Sequence, residues 1–237
     1  MKFFRLAVSF VLVFSTLTIF TNQKTANAFF GWTGAAGNPY VGTDVPHTVD
    51  VNVSNNSSSS GFNSMVLDNN GYPCVAWQDT FTGNYAIYFA KWNGTEWVNA
   101  LGQPRTTANC AVSVSTRMCE QPSLVLDSNG NPCIAWSDGM GGTFDTQITF
   151  ARWNGSIWVN ASGNALTGTN GFVISIYGDS HWPRLGLDKL DRPNIVWFCD
   201  TPPPTPSRSL YFAKWNGSAW TDASGSALTV ANCKIVD

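Results

Sequence analysis

PSLVLDSNGNPCIAWSDGMGGTFDTQITFARWNGSIWVNA, residues Pro122–Ala161, reads as four short strands joined by three turns. Pro122–Asp127 is an apolar run, and Ser128-Asn129-Gly130-Asn131 carries turn chemistry. Pro132–Ser137 is a second run, a Gly-rich loop follows it, and Gln147–Trp153 is a third. Asn154-Gly155 then predicts a two-residue hairpin into Ser156–Ala161, because a type I′ turn needs positive φ at both central residues. In that register Trp153 faces Ser156, and Ala151 faces Trp158.

The same unit occurs twice more. Its anchors Asp68, Asp127 and Asp188 recur about every sixty residues, a period that four strands fill as a propeller blade or a comparable stacked sheet. Complete units run over 64–121, 122–182 and 183–237. Ahead of them, 29–63 reads as a fourth-strand stub around Trp32, then a flexible Ser/Asn-rich linker. Leu124-Val125-Leu126 and Ile134-Ala135-Trp136 are apolar at successive positions, as are their counterparts Met65-Val66-Leu67 and Val75-Ala76-Trp77. A sheet with one wet face would alternate, so neighbouring units are expected to cover both faces. The expected fold is all-β: propeller-type repeats of four-stranded antiparallel blades, three full blades plus the stub, an incomplete ring.

Composition agrees. The 237 residues are 43% hydrophobic and only 12% charged, with eleven Trp, fifteen Phe and 21 Gly, which suits short strands and tight turns. A formal charge of −2 and no basic stripe argue against nucleic acid as a partner. Lys2 and Arg5 precede an apolar Leu6–Phe20 and a small-residue site at Ala26-Asn27-Ala28, which predicts a signal peptide over 1–28 and a secreted chain. Export makes disulfides an expectation for the six cysteines, with Cys110–Cys119 the easiest local bridge among fifteen pairings. No C-x-x-C pair and no His beside a Cys point to zinc, so no metal and no cofactor are expected.

LVLDSNGNPCIAW followed by ITFARWNGSIWV resembles secreted bacterial β-propeller repeats, the broad group with NHL-type and sialidase-like propellers. It is similar, too, to propeller-lectin blades whose outer hairpins carry Trp-(Asp/Asn)-Gly-x-x-Trp. The resemblance covers 64–237 and implies architecture. The sialidase Asp-box, Ser-x-Asp-x-Gly-x-x-Trp, is not matched, and Asp191 stands where Gly71 and Gly130 stand in the other units.

Candidate chemistry falls in two sets. Trp92/Trp97, Trp153/Trp158 and Trp215/Trp220 bracket the three Asn-Gly turns, where they either stack on sugars or fill the wedge between blades. Asp79, Asp138 and Asp200 open the loops after the second strands, which differ among units and suit ligand binding. Asp68, Asp127 and Asp188 read as turn-forming side chains. Catalytic signals are sparse: two His, no G-x-S-x-G or H-E-x-x-H, and arginines at unrelated repeat positions. The expectation is therefore a non-enzymatic binding module whose partner is a glycan or cell-surface polymer, bound by those Trp and Asp residues. The alternatives are a fragment of a sialidase-like glycoside hydrolase and a protein-interaction propeller. Three blades are few for a ring, so a homo-oligomer or further blades are expected to complete it.

Overall fold

The computed structural model describes residues 53–114, 116–139, 145–168, 170–173, 178–200, 207–229 and 233–236; the expected signal peptide and the Trp32 stub lie outside the described residues. It is an all-β array of three four-stranded antiparallel sheets, each in simple up-and-down order. The first holds β1 (Ser60–Leu67), β2 (Pro73–Asp79), β3 (Ala86–Trp92) and β4 (Trp97–Val98). The second holds β5 (Met118–Leu126), β6 (Pro132–Gly139), β7 (Gln147–Trp153) and β8 (Trp158–Val159). The third holds β9 (Asp179–Leu187), β10 (Pro193–Asp200), β11 (Arg208–Trp215) and β12 (Trp220–Thr221), with β13 (Lys234–Val236) also paired to β11. β6 is buried along its whole length, as its unbroken apolar run predicts.

The anchoring aspartates close the turns between first and second strands. Asp127 Oδ1 accepts the amides of Asn129 and Asn131 at 2.9 and 2.8 Å. Asp68 and Asp188 repeat the pattern within their own turns. Gly71 and Gly130 take φ of 79° and 80° there, and Asp191 takes 56° in the third sheet. An aspartate tolerates that left-handed conformation better than most residues. Its carboxylate is also used, because it accepts the amide and the hydroxyl of Ser128 in the second sheet's turn. The departure at Asp191 thus ties two turns together.

The outer hairpins differ from expectation. Trp153 lies directly opposite Trp158, and Arg152 opposite Val159, so the loop has four residues, Asn154–Ile157. Asn154 Oδ1 accepts the amides of Ser156 and Ile157, and only Gly155 has positive φ, at 99°. An Asx-type turn has replaced the type I′ turn, moving the register by two residues. Open space surrounds a Cβ built at Gly155, so Gly155→Val meets strain alone. It is expected to cost about 1–2 kcal/mol, read as a lower denaturant midpoint at unchanged slope.

The fourth strands are split. β4 pairs for two residues, the chain makes an excursion, and Ala111 then bridges Tyr88 farther along β3. Phe172 bridges Thr149 in the same way, and β13 is the counterpart in the third sheet.

Adjacent sheets stack through an apolar wedge and a short set of hydrogen bonds. Ile87 and Phe89 pack with Ile134 and Trp136 at the first junction, Ile148 and Phe150 with Trp197 and Tyr211 at the second. Each first strand carries a β-bulge, centred on Phe62, Gln121 and Trp182, at φ of 39°, 57° and 51°. A bulge releases backbone amides from the ladder, and a buried amide needs an acceptor. The preceding sheet supplies it: Gln121 N–H donates to Gln78 Oε1 at 3.1 Å, and Trp182 N–H to Gln121 Oε1 at 2.9 Å. Beside these, Leu124 N–H donates to Ser64 Oγ and Leu185 N–H to Ser123 Oγ, both at 3.0 Å. Like ends of the sheets are therefore aligned.

Candidate functional site

Antiparallel register separates the candidate residues into two groups. Asp79 and Asp200 end β2 and β10, Asp138 is the last residue but one of β6, and the three lie opposite Ser60, Asp179 and Cys119 near the starts of the first strands. The Trp pairs bracket the third-to-fourth hairpins at the other end of each sheet. The nine residues do not form one site.

Each Trp pair is a cross-strand, edge-to-face contact, with ring centroids 5.8, 5.5 and 5.5 Å apart in the three sheets. Trp92, Trp97, Trp153 and Trp215 are buried, whereas Trp158 and Trp220 are half-buried. Those two reach the preceding sheet: Trp158 meets Phe89 and Trp220 meets Phe150, each edge-on at 6.0 Å. Lys214, beside the third pair, donates through Nζ to Ala223 O at 2.8 Å.

The aspartate end is polar and differs sheet by sheet. Asp79 is buried and accepts from Ser60 Oγ (2.6 Å), Asn56 Nδ2 (3.1 Å) and its own loop's Phe81 N–H (2.8 Å). Asp138 is buried beside Arg117, whose Nε lies 3.1 Å from its Oδ1, while Nη2 reaches Asp145. Asp200 is half-buried and held by Arg208, with Nε and Nη2 each 2.7 Å from a carboxylate oxygen. Those Arg208 hydrogen bonds keep the Asp200 carboxyl below the ordinary aspartate range, so it stays ionised, and they raise the guanidinium in turn. Directly across the β9–β10 ladder stands a second half-buried carboxylate, Asp179, which accepts from Thr146 Oγ1 at 3.0 Å.

Around this pair the third sheet gathers residues that repeat analysis passes over. Arg208 lies over the Trp182 ring, 5.2 Å from its centroid. Phe198 meets that ring edge-on at 6.4 Å, and His181 lies 5.5 Å away. The sequence signal was present but disguised. Arg117 and Arg208 sit at unrelated repeat positions because one precedes a first strand and the other opens a third strand, yet each holds an aspartate near the end of its second strand; Asp200 lies one residue beyond the position of Asp138, which Cys199 fills. His181-Trp182 stands where the other units have Gly61-Phe62 and Glu120-Gln121.

Two further features concern the cysteines and a cleft on the third sheet. All six cysteines are buried and stand outside any disulfide, so the expected Cys110–Cys119 bridge is absent. Burial pushes Cys119 and Cys133 to about 12, and Cys74, Cys110 and Cys233 to about 11. A cleft of about 290 Å³ on the third sheet is lined by Phe212, Ala223, Cys233, Lys234 and Ile235 and shares no residue with either group.

No protein-family model matches this chain, and no curated protein matches it. Solved structures do. A fucose lectin from Kordia zhangzhouensis, in complex with methyl-fucoside, is 18% identical at a TM-score of 0.37, over 67% of this chain and 95% of its own. An endo-1,4-beta-xylanase from Bacteroides thetaiotaomicron is 16% identical at a TM-score of 0.44, over 76% of this chain and 62% of its own. A thermostable family-43 glycoside hydrolase is 17% identical at 0.42, over 72% and 60%. At these identities the likeness is one of fold alone, and the chain's own repeated four-stranded sheets are what give it the propeller type. This chain spans 62% or less of the similar enzymes' lengths. Most of the similar structures are named as glycoside hydrolases or other glycan-cleaving enzymes, which runs against the expectation of a non-enzymatic binding module.

Proposed function

We propose that this chain belongs to an exported, glycan-cleaving enzyme of propeller type, working at the end of the sheets where the second strands stop. One observation carries the reading: Asp179 and Asp200 face each other across β9 and β10, both half-buried. Glycosidic cleavage by hydrolysis uses two carboxyl groups with different protonation, one that donates a proton to the leaving oxygen and one that stays ionised. Arg208 suits Asp200 to the ionised role, as base or nucleophile. Asp179, whose Oδ1 accepts the hydroxyl and the amide of Thr146 and meets no described cation, is assigned the proton-donating role. Asp79 and Asp138 are closed off in their own hydrogen bonds and serve the loops.

The full chain, offered xylan, arabinan, mannan and pectic galactan, should release reducing ends from one of them. Asp179→Asn and Asp200→Asn should each lower that rate by about 10²–10⁴-fold, with unchanged circular dichroism. Equal rates in the variants, or no release from any of the four, would overturn the assignment. Export is part of the same proposal: a secreted chain whose mass begins at Phe29 supports it, and a retained Met1 on the cytoplasmic chain overturns it.

A further inference from the structure

We infer that Trp182 and Arg208 form a binding subsite for a neutral sugar ring bearing adjacent hydroxyls; the inference rests on the site proposed above and names its substrate class. Trp182 is the starting point. It is 38% exposed, yet it occupies a left-handed backbone conformation at φ 51° that residues other than glycine, asparagine and aspartate rarely adopt. The conformation belongs to the bulge that all three first strands share, so the fold requires the bulge and not the tryptophan. The residue types at the bulge are Phe62, Gln121 and Trp182, and the two aromatic ones are both exposed. Bulges re-aim side chains, and this one is locked from behind. Trp182 N–H is held by Gln121 Oε1, which Ser137 Oγ holds in turn at 3.1 Å. With the backbone pinned and the ring braced by Phe198 and His181, the indole is a platform that loses little freedom when a ligand arrives.

The surroundings say what kind of ligand. Arg208 spends Nε and Nη2 on Asp200, which leaves both Nη1 hydrogens and one on Nη2. Its side chain is 54% exposed and that of Asp200 28%. A guanidinium and a carboxylate side by side offer donors and acceptors at the spacing of a vicinal diol, whose hydroxyls both give and accept hydrogen bonds. Arg208 covers one face of the Trp182 ring, and the exposed remainder of the indole supplies the apolar surface against which the carbons of a sugar ring pack. Charge decides between neutral and acidic sugars. Asp200 already neutralises the Arg208 guanidinium, so a uronate entering here finds no uncompensated cation to pair with and meets the Asp200 carboxylate.

The test measures binding without turnover. Asp179→Asn, the variant expected to be inactive, is titrated calorimetrically with xylohexaose, arabinohexaose, mannohexaose and hexagalacturonate. One of the three neutral oligomers should bind and the galacturonate should not. Adding Trp182→Ala should weaken binding about tenfold, Trp182→Phe should keep most of it, and Trp158→Phe at the other end of the sheets should leave it unchanged. Unaltered affinity in Trp182→Ala, tighter binding of the galacturonate, or binding by none of the oligomers overturns the subsite. Failure of the catalytic reading looks different: an Asp179→Asn chain that still cleaves glycan while Trp182→Ala has lost affinity sinks the acid assignment alone.

Discussion

Trp158→Ala should lower the stability of the chain by about 3 kcal/mol, the lower end of the range for emptying a Trp site in a core. The residue is half-buried, which keeps the figure from the top of that range. Two ring contacts vanish together, one to Trp153 in its own hairpin at 5.5 Å and one to Phe89 of the preceding sheet at 6.0 Å. Such aromatic pairs contribute about 0.5–1.5 kcal/mol each beyond the area they bury. Trp220→Ala removes the equivalent contacts to Trp215 and Phe150 and should act with the same sign. Urea unfolding measures both. A change within about 0.5 kcal/mol, the usual effect of a surface substitution, would show that the hairpin tryptophans do not hold the sheets together.

The six thiols should be silent in the native protein. A thiolate is the reactive form, and a cysteine at about 11 or 12 holds roughly a hundredfold to a thousandfold less of it near neutrality than an ordinary one. Burial adds a steric barrier to the chemical one. A disulfide-exchange reagent should therefore report almost nothing until denaturant is added, and then all six thiols. Fast reaction of any cysteine in the folded chain would contradict the burial. Rapid formation of a Cys110–Cys119 bridge in air would do the same. The chain keeps sulfur in the wedges between sheets, where Cys74 and Cys133 pack as small apolar groups.

What the sequence revealed and what it concealed divide along a physical line. Local chemistry was legible. The Asx-turns at Asp68, Asp127 and Asp188 need only residues two to four positions away, and the strand positions follow from unbroken apolar runs. The hairpin register was not legible, because Asn-Gly serves a two-residue and a four-residue loop equally well, and packing of Trp153 on Trp158 goes with the longer one. The candidate site was half visible. Asp200 stood out as the aspartate opening the third unit's loop, although by register Cys199 fills the position of Asp79 and Asp138, and its partners come from different strands at positions with no counterpart, which is how individual function is carried on a repeated frame. Searching for arginines at matching positions therefore missed Arg208, the residue that sets the charge state of Asp200.

The junction hydrogen bonds also bear on how such an array can grow. Each junction places the acceptor side chain on the earlier sheet and the freed amide on the later one, so the units have a direction. Ser64 and Ser123 keep that acceptor, while the third unit has Arg184 at the same position and Phe198 where Gln78 stands. A gene duplication that copied either of the first two units would yield a piece able to seat its successor with the bonds already in use. Copying the third would set a guanidinium against a backbone amide, donor against donor. Lengthening by whole units is thus open at the first two and obstructed at the third, and the pair Arg184→Ser with Phe198→Gln would be the smallest genetic change to lift the obstruction.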